Sequence, residues 1–172
     1  TSELVLEDVR LPDSAILPGV VGLRGPLSCL NEARFGILFG VTGAARACFE
    51  AALDYSLSRE QFGKPIAGFQ LVQRKLVEMM ISVNRSTLVA LHLGRLKDNG
   101  NLAPAQVSFG KMDNVRQAIE VAREARNSLG ANGITLEYPV IRHMTNLESV
   151  YNYAATNEIH TLAMGHAITN LA

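Results

Sequence analysis

No charge of either sign dominates this chain: sixteen basic residues meet sixteen acidic ones over 172 positions. With no net field, nothing global draws the chain to nucleic acid or an anionic membrane surface, and any partner is recognised by local groups. Cysteine is scarce, with only Cys29 and Cys48. Both fall in an apolar helical stretch, where free cysteine usually behaves as a small buried hydrophobe, and a lone pair gives little support for a disulfide. No uninterrupted apolar run reaches the ~20 residues of a bilayer-crossing helix. No basic segment followed by an apolar one opens the sequence, so no targeting segment is expected. Metal-ligand spacing is missing as well. His160 and His166 fall on different faces of a helix, and His92 and His143 are isolated. No P-loop, GxSxG or GxGxxG run occurs. A soluble protein of a reducing compartment is the expectation.

What is present is apolar and periodic. Hydrophobic residues make up 48% and charged residues 19%, which argues against disorder and for one domain with a substantial core. The opening Ser2–Pro12 alternates briefly and ends on proline, as an edge strand does. One strand cannot stand alone, so this stretch reads as the end of a β domain, and the chain as a fragment or a piece that docks on something else. Residues 1–22 are therefore set apart as that end with its linker, and 23–172 as a helical domain.

From about Leu27 to Ser58, apolar residues recur at three- and four-residue steps, the mark of a long helix. Gly36, Gly40 and Gly43 lie inside it, and each should cost up to ~1 kcal/mol relative to alanine unless close packing or a ligand compensates. Residues 59–68 form a Gly- and Pro-containing loop. A second helix is expected over about Phe69–Lys97, and a third from Pro104 to Leu129, with Gly130 as its left-handed terminator. A fourth should run from Pro139 to about Val150, and a fifth from near Thr156, a possible N-cap, to Ala172. Short connections between long helices imply an all-α, up-and-down bundle. The second helix is apolar around more than half its circumference, so packing across an oligomer interface is expected.

Two loops invite chemistry. Arg59–Gly63 offers a guanidinium, an amide and an aromatic ring, suited to phosphate contact and stacking, though a solvated helix-end loop has the same composition. Asn127–Gly133 exposes backbone at a helix terminus, and on its own it reads as an ordinary C-cap ahead of a ligand site.

Three runs carry a resemblance over nearly the whole chain and in the right order. They are Ser58-Arg59-Glu60-Gln61-Phe62-Gly63-Lys64-Pro65-Ile66 with Phe69-Gln70-Leu71-Val72-Gln73, then Leu129-Gly130-Ala131-Asn132-Gly133-Ile134, then Tyr138-Pro139-Val140-Ile141-Arg142-His143-Met144 with Asn146-Leu147-Glu148. Together they resemble the acyl-CoA dehydrogenase family, in its glutaryl-CoA branch. The resemblance implies a C-terminal helical bundle that follows two other domains in a dimer or tetramer, with FAD between subunits. It implies that Arg59, Gln61 and Phe62 reach the flavin pyrophosphate of a neighbouring subunit, with Gln70 nearby. Asn127, Gly130 and Ala131 would meet the adenosine end, and Thr156 and Glu158 the flavin of their own subunit. Asn31 and Arg34 would lie near an acyl-CoA thioester, and Tyr153 beside the reacting carbons. For Arg34 the alternative is an interhelical salt bridge with Glu50 or Glu78. The implied partners are a glutaryl-CoA-like substrate and, for an active enzyme, an electron-transfer flavoprotein, in the bacterial cytoplasm or the mitochondrial matrix.

Such enzymes take an α-proton with a carboxylate as the β-hydride moves to flavin, and the glutaryl branch then loses CO2. The base belongs to a Tyr-Glu-Gly-Thr run, which here reads Tyr153-Ala154-Ala155-Thr156. Its alternative position, just before Arg34, is Ala33. Glu32 is ~100° round the helix from it, and Glu158 matches a flavin-side position. His166 stands where the family more often has arginine. The resemblance therefore implies FAD-dependent dehydrogenation by the family and a missing base in this chain, or a non-catalytic subunit that helps an active partner hold FAD.

Overall fold

Pro26 does not delay the first helix. In the computed structural model, which describes residues 2–171, α1 spans Arg24–Ser58 and takes Gly25 and Pro26 into its first turn. The first turn has no intrahelical partner for its N–H groups, so proline costs nothing there. The linker is shorter than its breakers suggest for that reason. A two-stranded hairpin follows, β1 (Glu60–Gln61) against antiparallel β2 (Lys64–Pro65). Phe62 (φ 54°) and Gly63 (φ 79°) form its two-residue connection, and two positive φ angles match the twist of a tight hairpin. Then come α2 (Gln70–Asp98), α3 (Pro104–Ser128), α4 (Val140–Asn152) and α5 (Asn157–Thr169). Gly130 does adopt φ 59° after α3. The all-α bundle expected from periodicity is what forms. Ala172, the expected end of the fifth helix, lies outside the described residues.

The expected opening strand finds no pairing partner among the described residues: Ser2–Leu11 is unpaired, and Leu4, Val5 and Leu6 are exposed. Extended backbone becomes a strand only when a neighbour accepts its ladder. Thr156 is the N-cap of α5, as expected, but its side chain makes no capping bond.

Helix α3 is the axis of the bundle and packs on α1, α2, α4 and α5. Small residues allow this. Ala45, Cys48 and Ala52 of α1 meet Ala118, Ala122 and Ala125 of α3, all almost fully buried, with Met79 and Val83 of α2 and Val140 and Leu147 of α4 closing the cluster. Burial pushes the Cys48 thiol up to about 12, whereas Cys29 is exposed, contrary to the expectation that both are core. Helix α1 is long and apolar enough to cross a membrane by length and composition, which the search for an uninterrupted run missed. Here its buried stripe is spent on α3 instead.

Asn114 joins three helices from inside the core. Its Nδ2 donates to the carbonyls of Leu38 (3.0 Å) and Ser86 (3.1 Å) and to Thr42 Oγ1 (3.4 Å). The internal glycines of α1 are not explained by packing: a Cβ on Gly36, Gly40 or Gly43 would touch nothing within 4 Å among the described residues. Gly133 is the opposite case, since a Cβ there would collide with the Arg126 carbonyl.

Candidate functional site

Helices α4 and α5 are joined by Tyr153-Ala154-Ala155-Thr156, and two successive L-residues there have positive φ, 55° at Ala154 and 88° at Ala155. Non-glycine residues pay roughly 1–2 kcal/mol for left-handed backbone, so something must hold the turn. Two cations do. Arg34 of α1 donates from Nε to the Ala154 carbonyl (2.8 Å) and from Nη1 to Asn31 Oδ1 (3.3 Å). Lys111 of α3 donates from Nζ to the carbonyls of Ala155 (3.0 Å) and Tyr151 (3.4 Å). Bonds from charged donors contribute about 1.5–3 kcal/mol each, enough to offset the backbone cost.

The Lys111 side chain is 1% exposed and His160 is 0% exposed. Both ring nitrogens of His160 lack a partner among the described residues. Burial, then Lys111 and Arg34, bring the His160 pKa down to about 4, and burial with Arg34 nearby lowers that of Lys111 to about 8. Among the described residues no carboxylate pairs with Arg34, Lys111 or His160. The expected alternative of a salt bridge from Arg34 to Glu50 or Glu78 is corrected by this arrangement. Glu50 binds Arg46 (2.8 Å) on the same exposed helix face, and Arg34 turns inward to the backbone of position 154.

Tyr153 is half exposed and lines a groove of about 310 Å3 between α1 and α4, with Gly40, Gly43, Ala44 and His143. Burial and the neighbouring Arg142 lower the His143 pKa. Asn31 and Glu32 border a separate depression of about 200 Å3, where Lys97 pairs with Glu32 (2.6 Å) and lies 4.7 Å from the Phe35 ring centroid. Glu32 is thus directed away from the turn. Glu158 is exposed, and the Thr156 side chain, with Arg116 further off, holds its carboxyl below the usual range.

The hairpin is a second, remote feature. Arg59 follows α1, about 37 Å along that helix from Arg34 at 1.5 Å per residue. Phe62 is 93% exposed, and with Leu71, Ile66, Phe69, Gln61 and Gln70 it borders an open, largely apolar surface of about 770 Å3. Lys64 Nζ lies 4.3 Å from the Phe69 ring centroid. At the end of α3, Asn127, Gly130 and Ala131 are exposed, and Asn127 accepts from Arg126.

A family model described as acyl-CoA dehydrogenase, C-terminal domain, matches residues 21–169. The chain belongs to the acyl-CoA dehydrogenase family. Among curated relatives, glutaryl-CoA dehydrogenase of Desulfococcus multivorans is 36% identical over 154 residues, 88% of this chain and 39% of that protein. A 2-methylacyl-CoA dehydrogenase of Solanum tuberosum is 33% identical over 98% of this chain and 41% of its own. Among solved structures, glutaryl-CoA dehydrogenase of Mycobacterium smegmatis is 62% identical over 95% of this chain and 42% of that chain, with a TM-score of 0.93. A glutaryl-CoA dehydrogenase of the same organism, in complex with FADH2, is 54% identical with a TM-score of 0.95, over 98% of this chain and 44% of that one. The chain thus spans about two fifths of the length of these relatives.

The bundle brings Arg34, Asn31, Tyr153, Ala154, Thr156 and Glu158 to one end and carries Arg59, Gln61, Phe62 and Gln70 at the other. Reasoning from sequence missed Lys111 and His160. The signal for Lys111 was its place between Val107 and Val115, one turn either side on the buried face of α3. His160 offered none beyond its apolar neighbours.

Proposed function

We propose that this chain is the C-terminal domain of a glutaryl-type acyl-CoA dehydrogenase that binds FAD and an acyl-CoA but, with Ala154 at the base position, does not turn over as written. The observation that carries it is the 62% identity to a glutaryl-CoA dehydrogenase over 95% of the chain. The resemblance of the Arg59–Ile66 loop, and of Tyr153-Ala154-Ala155-Thr156 to a run that carries a carboxylate, supports the finer reading.

The residues fit the flavin. Phe62 and the apolar surface beside it face away from their own bundle, as a stacking platform for a ligand held by another subunit would. The separation along α1 exceeds the reach of one dinucleotide, so the loop and the Thr156–Glu158 end serve different flavins, which requires an oligomer. Arg59, Gln61, Phe62 and Gln70 hold one pyrophosphate, and Asn127, Gly130 and Ala131 an adenosine end. When bound, FAD supplies the acceptor for the hydride leaving the β-carbon. Asn31, Arg34 and Tyr153 orient the acyl-CoA. The α-proton has no acceptor at Ala154 or Ala33, and a lost general base typically costs ~10²–10⁴ in rate.

Ala154→Glu in the full-length protein tests this. Anaerobic addition of glutaryl-CoA should bleach the flavin of the variant at least ~10²-fold faster than that of the parent, with CO2 release reporting the decarboxylation. The alternative is a non-catalytic subunit that helps hold the FAD of an active dehydrogenase, and the missing base favours it equally. That reading predicts that Ala154→Glu leaves the flavin oxidised and that the protein co-purifies with a second, active dehydrogenase subunit. Reoxidation of a bleached variant by electron-transfer flavoprotein would add that partner.

A further inference from the structure

Lys111 is a nearly fully buried lysine with no acidic partner among the described residues, and both of its hydrogen bonds end on carbonyls that bracket the α4–α5 turn. One bond fixes the last turn of α4 through Tyr151, the other the left-handed Ala155. Arg34 fixes the intervening Ala154 from the opposite helix. The two alanines have no intrinsic reason to be left-handed, so their conformation rests on these donors. The two donors differ: arginine stays charged at any accessible pH, whereas a desolvated lysine does not.

We propose that Lys111 is a positioning residue for the α4–α5 turn, a proton-dependent clamp that holds Ala154 and Ala155 left-handed when charged and loosens them when neutral. Losing the proton removes the charge assistance from both bonds, so the neutral amine holds the strained pair more weakly and Arg34 carries more of it. The surroundings favour that loss. Burial disfavours the charge first and the Arg34 guanidinium of α1 second, while His160 of α5 is neutral above its pKa of about 4 and α4 offers only the Tyr151 carbonyl. Two acidic side chains of α3 and α5 have other partners, Asp113 with Arg85 of α2 at 3.9 Å and Glu158 with Thr156 and Arg116. Burial places the titration of Lys111 near 8, within reach of ordinary buffers. The clamp acts on the backbone at Tyr151 and Ala155, either side of position 154, whatever chemistry that position performs, so it stands or falls separately from the proposed activity.

The test is alanine methyl NMR of the protein between pH 6 and pH 10. The Ala154 and Ala155 methyl signals should move together in a single one-proton step with a midpoint of about 8. Lys111→Arg should hold both signals at their low-pH positions throughout, and Lys111→Met should hold them at the high-pH positions, with helical circular dichroism unchanged. A step that persists in Lys111→Arg overturns the proposal. So does a parent protein whose turn methyls stay fixed while the Lys111 Cε signal itself titrates. Should Lys111→Met not fold, Lys111→Arg and the parent still decide.

Discussion

Ala155 has φ 88°, where its methyl group is a liability and a glycine would be at ease. Replacing it relieves roughly 1–2 kcal/mol of backbone strain and returns part of that through the greater freedom of glycine in the unfolded chain, about 0.4–1 kcal/mol. Ala155→Gly should therefore raise the unfolding free energy by about 0.5–1 kcal/mol, read by urea titration at constant m-value. A loss of similar size would mean that the turn does not enforce that angle. Local propensity hid this, since two adjacent alanines are the strongest helix formers; the one hint was the resemblance, in which Ala155 stands where a glycine is expected. By contrast Pro104 and Gly130 bracket α3 in the sequence as they do in the fold, because each acts through its own backbone. Lys111 stayed hidden for a third reason: a lone lysine on a helix is nearly always solvated, and only the bundle closing round it makes it a buried donor.

At the scale of the element, α5 is docked through a residue that resists protonation. His160 is fully buried, and burial beside two cations lowers its pKa from 6.5 to about 4. The unfolded chain binds that proton more readily than the folded one. The stability His160 contributes is then complete above 6.5 and lost as pH falls through the folded value. Unfolding free energy should fall by up to about 1.4 kcal/mol per pH unit across that window, and His160→Phe should flatten the slope. An unchanged slope in His160→Phe would move the cause to another group. Because α5 contacts α3 and little else, its amides should lose protection first in hydrogen exchange at pH 5.

At the scale of the molecule, the bundle leaves a stripe of apolar surface uncovered. On α2, Val77, Met80, Ile81, Leu88 and Leu91 are each 44–68% exposed, and at 100° per residue they fall within one stripe about 100° wide. Their opposite face, Met79, Val83, Ser86, Ala90 and Leu93, is already buried in the bundle. The helix is therefore amphipathic toward its own core and apolar again on the outside, which is why it read in the sequence as apolar around most of its circumference. A contiguous exposed stripe of this kind marks an interaction surface, and we propose a second copy as its cover because the same stripe can meet itself about a two-fold axis. The proposed function points the same way, since it assigns the hairpin and the α4–α5 turn to different flavins. Ile81→Asp with Leu88→Asp places two charges at the centre of that stripe without touching the core. Light scattering should give a dimer or tetramer for the parent and a monomer for the double variant, with helical content retained. A variant that keeps the parent mass would move the interface to another face, and a monomeric parent would remove the requirement for a shared flavin site.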